Sequence, residues 1–168
     1  MNITIFTNLI LVSGLLCAVV TDLRSRRISN RLTYSSMLLG LLLNGLGAGW
    51  SGLGHSGLGW LLAVGLMLLP FAMGATGAGD VKLLAAIGAL KGPEFVFQVA
   101  LYGSLAGGVL ALIYLVKERR VGSTLRYIAY GWLGALRSNG PKAGAIPYAP
   151  AIAAGALLAF VSQDHFAL

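Results

Sequence analysis

Long, almost uncharged apolar segments run through most of this 168-residue chain and limit what it can fold into. Five such segments cover residues 3–21, 34–48, 58–74, 94–116 and 150–163. A helix that spans a bilayer needs about 20 residues, mostly apolar. An outer-membrane barrel would instead show short segments of alternating hydrophobicity. The segments therefore predict one all-α integral membrane domain over residues 1–168.

Charged residues make up 10% of the chain, whereas a soluble domain carries roughly 25%. A sixth, shorter helix is predicted to begin near Asp80 and to end near Lys91. If the N-terminus lies outside, every Lys and Arg except Lys91 falls on or beside the cytoplasmic face, as the positive-inside rule requires. This topology explains the net charge of +7 without nucleic acid. We expect about six transmembrane helices in the cytoplasmic membrane, the fourth of them short or re-entrant.

The connecting segments follow from the same topology. Residues 22–33 are predicted to form a basic cytoplasmic loop, because four arginines follow the first apolar segment and none precedes it. That order is the reverse of a cleaved signal peptide. Glycine-rich residues 45–59 are predicted to form an outer loop, and residues 127–136 a helix on the membrane surface.

Two of the five acidic residues are candidates for chemistry. Two crossings separate Asp22 from Asp80, so both are expected at one face and at similar depth. Neighbouring carboxylates can hold one proton between them. The ionised member can then take a proton from water while the protonated member polarises a peptide carbonyl. Taken singly, either residue could instead be a helix cap or an interfacial charge, and Asp80 could form a salt bridge with Lys82 or Lys91.

Asp80 ends the sequence Gly77-Ala78-Gly79-Asp80. The glycines allow another backbone or a substrate to come close, and a carboxylate at a helix N-terminus meets the positive end of the helix dipole. Cys17, His55 and His165 show no metal-ligand spacing, so we expect no metal site and no cofactor.

Three blocks of the sequence resemble the type IV prepilin peptidases, a branch of the intramembrane aspartic proteases. Residues 77–83 (Gly-Ala-Gly-Asp-Val-Lys-Leu) match the glycine-x-glycine-aspartate motif. Residues 22–30 resemble the first aspartate block, with Ser29 in place of the usual proline. Residues 146–155 are similar to the closing segment of the family. The blocks lie in family order and cover nearly the whole chain.

The resemblance implies a peptidase that removes the short basic leader from type IV prepilins, on the cytoplasmic side and just before the apolar helix of the pilin. By motif match, Asp22 and Asp80 are catalytic. Lys82 is hypothesised to tune the site or to contact substrate, and Asn30 to fix the loop. Paired cysteines and the added region of the large methylating members are missing. The chain therefore resembles the compact form associated with tight-adherence (Flp-type) pili, with no separate methyltransferase or zinc region. The archaeal preflagellin peptidases are a nearby alternative.

Two other functions remain open at this point. A small transporter, or an ion-conducting subunit with Asp80 in its pathway, would explain a buried acid and interrupted helices. It would not explain why Asp22 is expected on the same face, and the other spans offer few polar residues. A scaffold-only relative is the third possibility, although both aspartates are present. The expected partners are a prepilin substrate and membrane lipids.

Overall fold

The computed structural model describes residues 3–73, 76–117 and 148–166, and their regular structure is entirely α-helical. Five helices follow one another along these ranges: α1 (Ile3–Ser25), α2 (Asn30–Ala72), α3 (Ala78–Lys91), α4 (Pro93–Lys117) and α5 (Ala149–Phe166). Three of them, α1, α2 and α4, are long and apolar enough to cross a membrane. The surface helix predicted for residues 127–136 lies outside the described residues.

The predicted count of six transmembrane helices is not supported in the described part of the chain. Five helical elements are present there, and the second and third predicted spans both lie in α2, which is kinked at Gly49. Residues 45–59 form no outer loop, since α2 runs through them. Only Gly49 departs from helical geometry, with φ 59° and ψ −137°. A positive φ of this size is cheap for glycine and strained for other residues, so the interruption occurs at a glycine.

Gly49 divides α2 into two arms that fold back on each other. The Asn44 amide donates to the Ser56 hydroxyl oxygen over 2.8 Å, although twelve residues of straight helix would extend about 18 Å. Gly40 and Gly59, one from each arm, both pack against the last turns of α3. The two arms, residues 30–48 and 50–72, therefore form a helical hairpin around Gly49.

Helix α3 is the centre of the bundle. Its residues from Leu83 to Leu90 are all buried, which is the pattern of a helix enclosed by others on every side. At 14 residues it is about 21 Å long, too short for a hydrocarbon core of about 30 Å. The short fourth helix predicted from the sequence is thus present, packed inside the bundle.

The α2 hairpin also completes the C-terminal end of α3. The Ala89 carbonyl accepts hydrogen bonds from Asn44 and Ser56, and the Leu90 carbonyl accepts a further one from Asn44. Carbonyls in the last turn of a helix have no partner within the helix, and in an apolar setting each must find one elsewhere. These bonds fix α3 along its axis, and so fix the position of its N-terminal end.

The outer faces of the bundle are apolar. Large hydrophobic side chains on α1, both arms of α2, α4 and α5 are exposed, among them Leu46, Trp50, Leu69 and Leu105. An apolar surface of this extent would favour aggregation in water, whereas it is normal for a protein surrounded by lipid. Together with the three long apolar helices, it indicates a multi-pass membrane protein.

Candidate active site

Asp22 lies on the buried face of α1, near its C-terminal end. Leu11, Leu15 and Ala18 precede it on this face at helical spacing and belong to the core, and Asp22 is 7% exposed. Its Oδ2 accepts a hydrogen bond of 3.0 Å from the backbone N–H of Ala149, the first residue of α5. A buried carboxylate needs such a donor, so the start of α5 holds the first acid in place.

Asp80 lies in the first turn of α3 and is 9% exposed. Its Oδ2 accepts a hydrogen bond of 3.0 Å from the N–H of Gly77, the residue that caps the helix. At Gly79, a side chain would press against Ile28 from the α1–α2 loop. The two glycines of the motif thus serve the local fold: Gly77 supplies a donor to the acid, and Gly79 lets the loop approach α3.

The structure brings the two acids together at one end of the bundle, close enough for the charge of Asp22 to act on Asp80. Asp80 lies outside the three helices long enough to cross a membrane. Burial raises the pKa of its carboxyl, the Gly77 N–H lowers it, and the charge of Asp22 raises it, with a resulting pKa of about 6. Asp80 therefore keeps its proton to a higher pH than an exposed aspartate does.

Tyr148 is a third titratable group, near Asp80, for which no role beyond membership of the closing segment was predicted. It precedes Ala149, and its half-buried ring fits against Gly107 of α4, where a Cβ would collide with it. Burial and the charge of Asp80 raise the pKa of the Tyr148 hydroxyl, which therefore keeps its proton and can donate it in a hydrogen bond.

Lys82 and Asn30 also meet. The Lys82 ammonium donates to Asn30 Oδ1 over 2.9 Å and lies 5.4 Å from the centre of the Tyr34 ring. Asn30 opens α2 and Lys82 follows Asp80 by two residues, so this bond ties the start of α2 to the first turn of α3. Since Ile28 lies just before Asn30, the same bond holds the loop over Gly79.

The salt-bridge alternative for Asp80 receives no support from the described residues. Within them, the one contact within 4.0 Å between a basic side chain and a carboxylate joins His55 Nε2 to Glu94 Oε2, at 3.7 Å. Lys82 is bound to Asn30, and Lys91 donates to Asn8 at the far end of α3. Nor does any group of three or more His, Cys, Asp or Glu side chains occur there. The acids of this site form a pair, held by backbone N–H groups.

Comparison with known proteins agrees with the resemblance seen in the sequence. Residues 9–112 match the type IV leader peptidase family. The prepilin leader peptidase/N-methyltransferase of Bacillus subtilis (strain 168) is 25% identical over 166 residues, which are 97% of this chain and 58% of that protein. The protein of the same description from Pectobacterium carotovorum subsp. carotovorum is 35% identical over 136 residues, 74% of this chain and 47% of its own length. The chain thus spans about half the length of these curated relatives. No solved structure gives a significant match.

Proposed function

Because the chain belongs to the type IV leader peptidase family, we propose that it is a membrane-embedded aspartic endopeptidase that removes the basic leader from type IV prepilins. The observation that carries the proposal is the pair of buried carboxylates, Asp22 and Asp80, of which one acts electrostatically on the other. Two such acids in a chain that contains only five are better explained by chemistry than by packing, because burying ionisable groups away from water is costly.

In the proposed reaction, the ionised member of the pair takes a proton from a water molecule as that water attacks the scissile carbonyl. The protonated member gives its proton to the carbonyl oxygen, and the two roles are exchanged when the leaving amine is protonated. The N–H groups of Ala149 and Gly77 hold one oxygen of each acid, which leaves the other oxygen of each for water and substrate. The proposal covers hydrolysis alone and assigns no methyl transfer to these residues.

The orientation is part of the proposal. Arg24, Arg26, Arg27 and Arg31 are exposed next to the end of the bundle that holds the two acids, and Lys91 lies at the other end of α3. By the positive-inside rule, we place the acids near the cytoplasmic face and the N-terminus outside. A cysteine introduced at Ser25 should react with a membrane-impermeant maleimide only after the cells are opened, in a background without Cys17. Reaction in intact cells would reverse the orientation.

Cleavage of a co-expressed Flp-type precursor tests the function. The amides in Asp22→Asn and Asp80→Asn keep the size of each side chain and remove the titrating acid. Since general acid–base catalysis contributes about 10²–10⁴-fold, each variant should lose cleavage by at least about 100-fold. Glu94→Gln is the matched control, because Glu94 is an exposed acid paired with His55 away from the site; this variant should cleave normally.

The variants must be shown to enter the membrane at normal levels and to melt like the unmodified protein. If either amide variant cleaves at the full rate, its aspartate is structural and the paired-acid mechanism is wrong. A panel with other type IV precursors decides the Flp-type preference. If the unmodified protein cleaves none of them, the transporter and scaffold interpretations take precedence.

A further inference from the structure

An apolar groove of about 330 Å³ lies between α1 and α5. Its volume falls at the small end of the ~300–1,000 Å³ typical of ligand sites. On the rim, Leu16 is 63% and Leu157 is 67% exposed, so the groove opens toward the bilayer. The lining includes Leu15, Leu16 and Val19 from α1 and Ala153, Ala154 and Leu157 from α5.

One end of the groove lies against the candidate catalytic pair. On α1, Val19 lines the groove three residues before Asp22, a separation of about 4.5 Å along a helix axis. On α5, Pro150 lines it and directly follows Ala149, whose N–H binds Asp22. A segment lying in the groove would therefore bring its end to the acids.

The apolar lining of the groove favours an apolar segment of the precursor over its basic leader. A basic leader does not fit there, because the described residues of the lining include no acid and a Lys or Arg in an apolar membrane setting is costly. An apolar helix does fit, since the small side chains of Ala153 and Ala154 allow close approach of a second backbone.

We propose that this groove binds the apolar helical segment of the precursor that follows the scissile bond, and so presents that bond to Asp22 and Asp80. The inference rests on the proposed function, which supplies a substrate cut just before an apolar helix. With the helix in the groove, the basic leader extends past the acids and away from the apolar lining. A lipid chain, a second copy of this protein and another part of the same chain are the competing occupants.

Photo-cross-linking from adjacent positions tests the proposal. A benzophenone amino acid is placed at Leu16 or Leu157 in the groove, or at the next residue, Cys17 or Leu158, in an Asp80→Asn background that retains uncut precursor. Successive helix residues point about 100° apart, and Cys17 and Leu158 are exposed outside the groove. We expect several-fold more cross-linking to the precursor from Leu16 and Leu157 than from their neighbours.

Equal yields at all four positions, or adducts at the groove positions only with lipid, a second copy or the same chain, would overturn the groove assignment. Cleavage by the unmodified protein is measured in parallel. If that protein cuts the precursor and the groove positions do not cross-link to it, only the groove inference fails. If the precursor is not cut at all, the proposed function fails with it.

Narrowing the groove gives an independent readout. Ala154→Leu adds bulk to the lining, so the KM for the precursor should rise by about tenfold or more, since one methylene more or less in a hydrophobic pocket already changes kcat/KM by about 10–200-fold. Ala106→Leu, at a half-buried alanine of α4 outside the groove, should leave KM near its normal value. An unchanged KM in a well-folded Ala154→Leu protein would contradict the proposal.

Discussion

The contact between Gly59 of α2 and Gly88 of α3 allows a sharp test of how the site is positioned. A Cβ at residue 59 would lie 2.8 Å from the Gly88 carbonyl carbon and 2.7 Å from that of Gly92, against 3.4–4 Å for ordinary contact. The Gly88 carbonyl oxygen would lie closer still, so in Gly59→Ala the two helices must separate by about 0.7 Å or more, and overpacking of this kind costs ~1–3 kcal/mol. Because Asp80 is carried by α3, cleavage should also fall, as a 1 Å misplacement can cost about 100-fold.

Gly57→Ala is the matched control, since nothing lies within 4 Å of a Cβ at that position on the same arm of α2. Both variants gain up to about 1 kcal/mol from the better helix propensity of alanine. The difference between their free energies of unfolding, measured by thermal or SDS titration in mild detergent, therefore isolates the contact. We expect Gly59→Ala to be less stable than Gly57→Ala by ~1–3 kcal/mol. Equal stabilities would refute the close approach of α2 and α3.

Three further predictions concern the site and its support. The pKa of Asp80 is raised to about 6, and the proposed mechanism needs one protonated acid. Initial cleavage rates should therefore fall as the pH rises above about 6 and removes that proton. A cleavage rate that increases with pH there would contradict the pairing with Asp22. Lys82→Met and Asn30→Ala should each slow cleavage by the ~0.5–1.5 kcal/mol that one hydrogen bond is worth. Because both remove the same bond, the double variant should be no slower than either single variant. Additive losses would show that the two residues act independently. Asn44→Leu should lower the melting temperature, because it leaves the Leu90 carbonyl in the last turn of α3 without its hydrogen bond from Asn44, at a cost of ~1–3 kcal/mol. An unchanged melting temperature would mean that this carbonyl finds another partner.

Helix boundaries could be predicted to within a few residues where charged residues, glycine or proline interrupt a long apolar segment. The first apolar segment, residues 3–21, became α1, and the short helix expected from Asp80 to Lys91 became α3. Pro93 starts α4 and Ala149 starts α5, close to the predicted starts at residues 94 and 150. In these cases one local signal decides the boundary, because proline is tolerated in the first turn of a helix and disfavoured further in.

The two antiparallel arms of the α2 hairpin were predicted from the apolar segments, but the tight turn between them could not be predicted from composition. The glycines between residues 45 and 59, together with Trp50, favour a loop in water, yet in an apolar environment the backbone keeps its helical hydrogen bonds. The reversal therefore takes one residue, Gly49, instead of fifteen. The hydrogen bond from the Ala149 N–H to Asp22 could not be predicted either. Every residue except proline has a backbone N–H, and 127 positions separate the two residues.

The arrangement of helix ends bears on the proposal that the two acids share one proton. Asp80 lies in the first turn of α3, and Asp22 accepts the first N–H of α5. Each helix N-terminus acts as roughly half of a positive charge, so two of them together match about one negative charge. A pair with one proton carries that charge, whereas full ionisation would leave a second one buried. Since Lys82 is bound to Asn30, it does not supply the missing cation. The two helix N-termini at the pair thus favour one negative charge there over two, in keeping with the proposed hydrolysis.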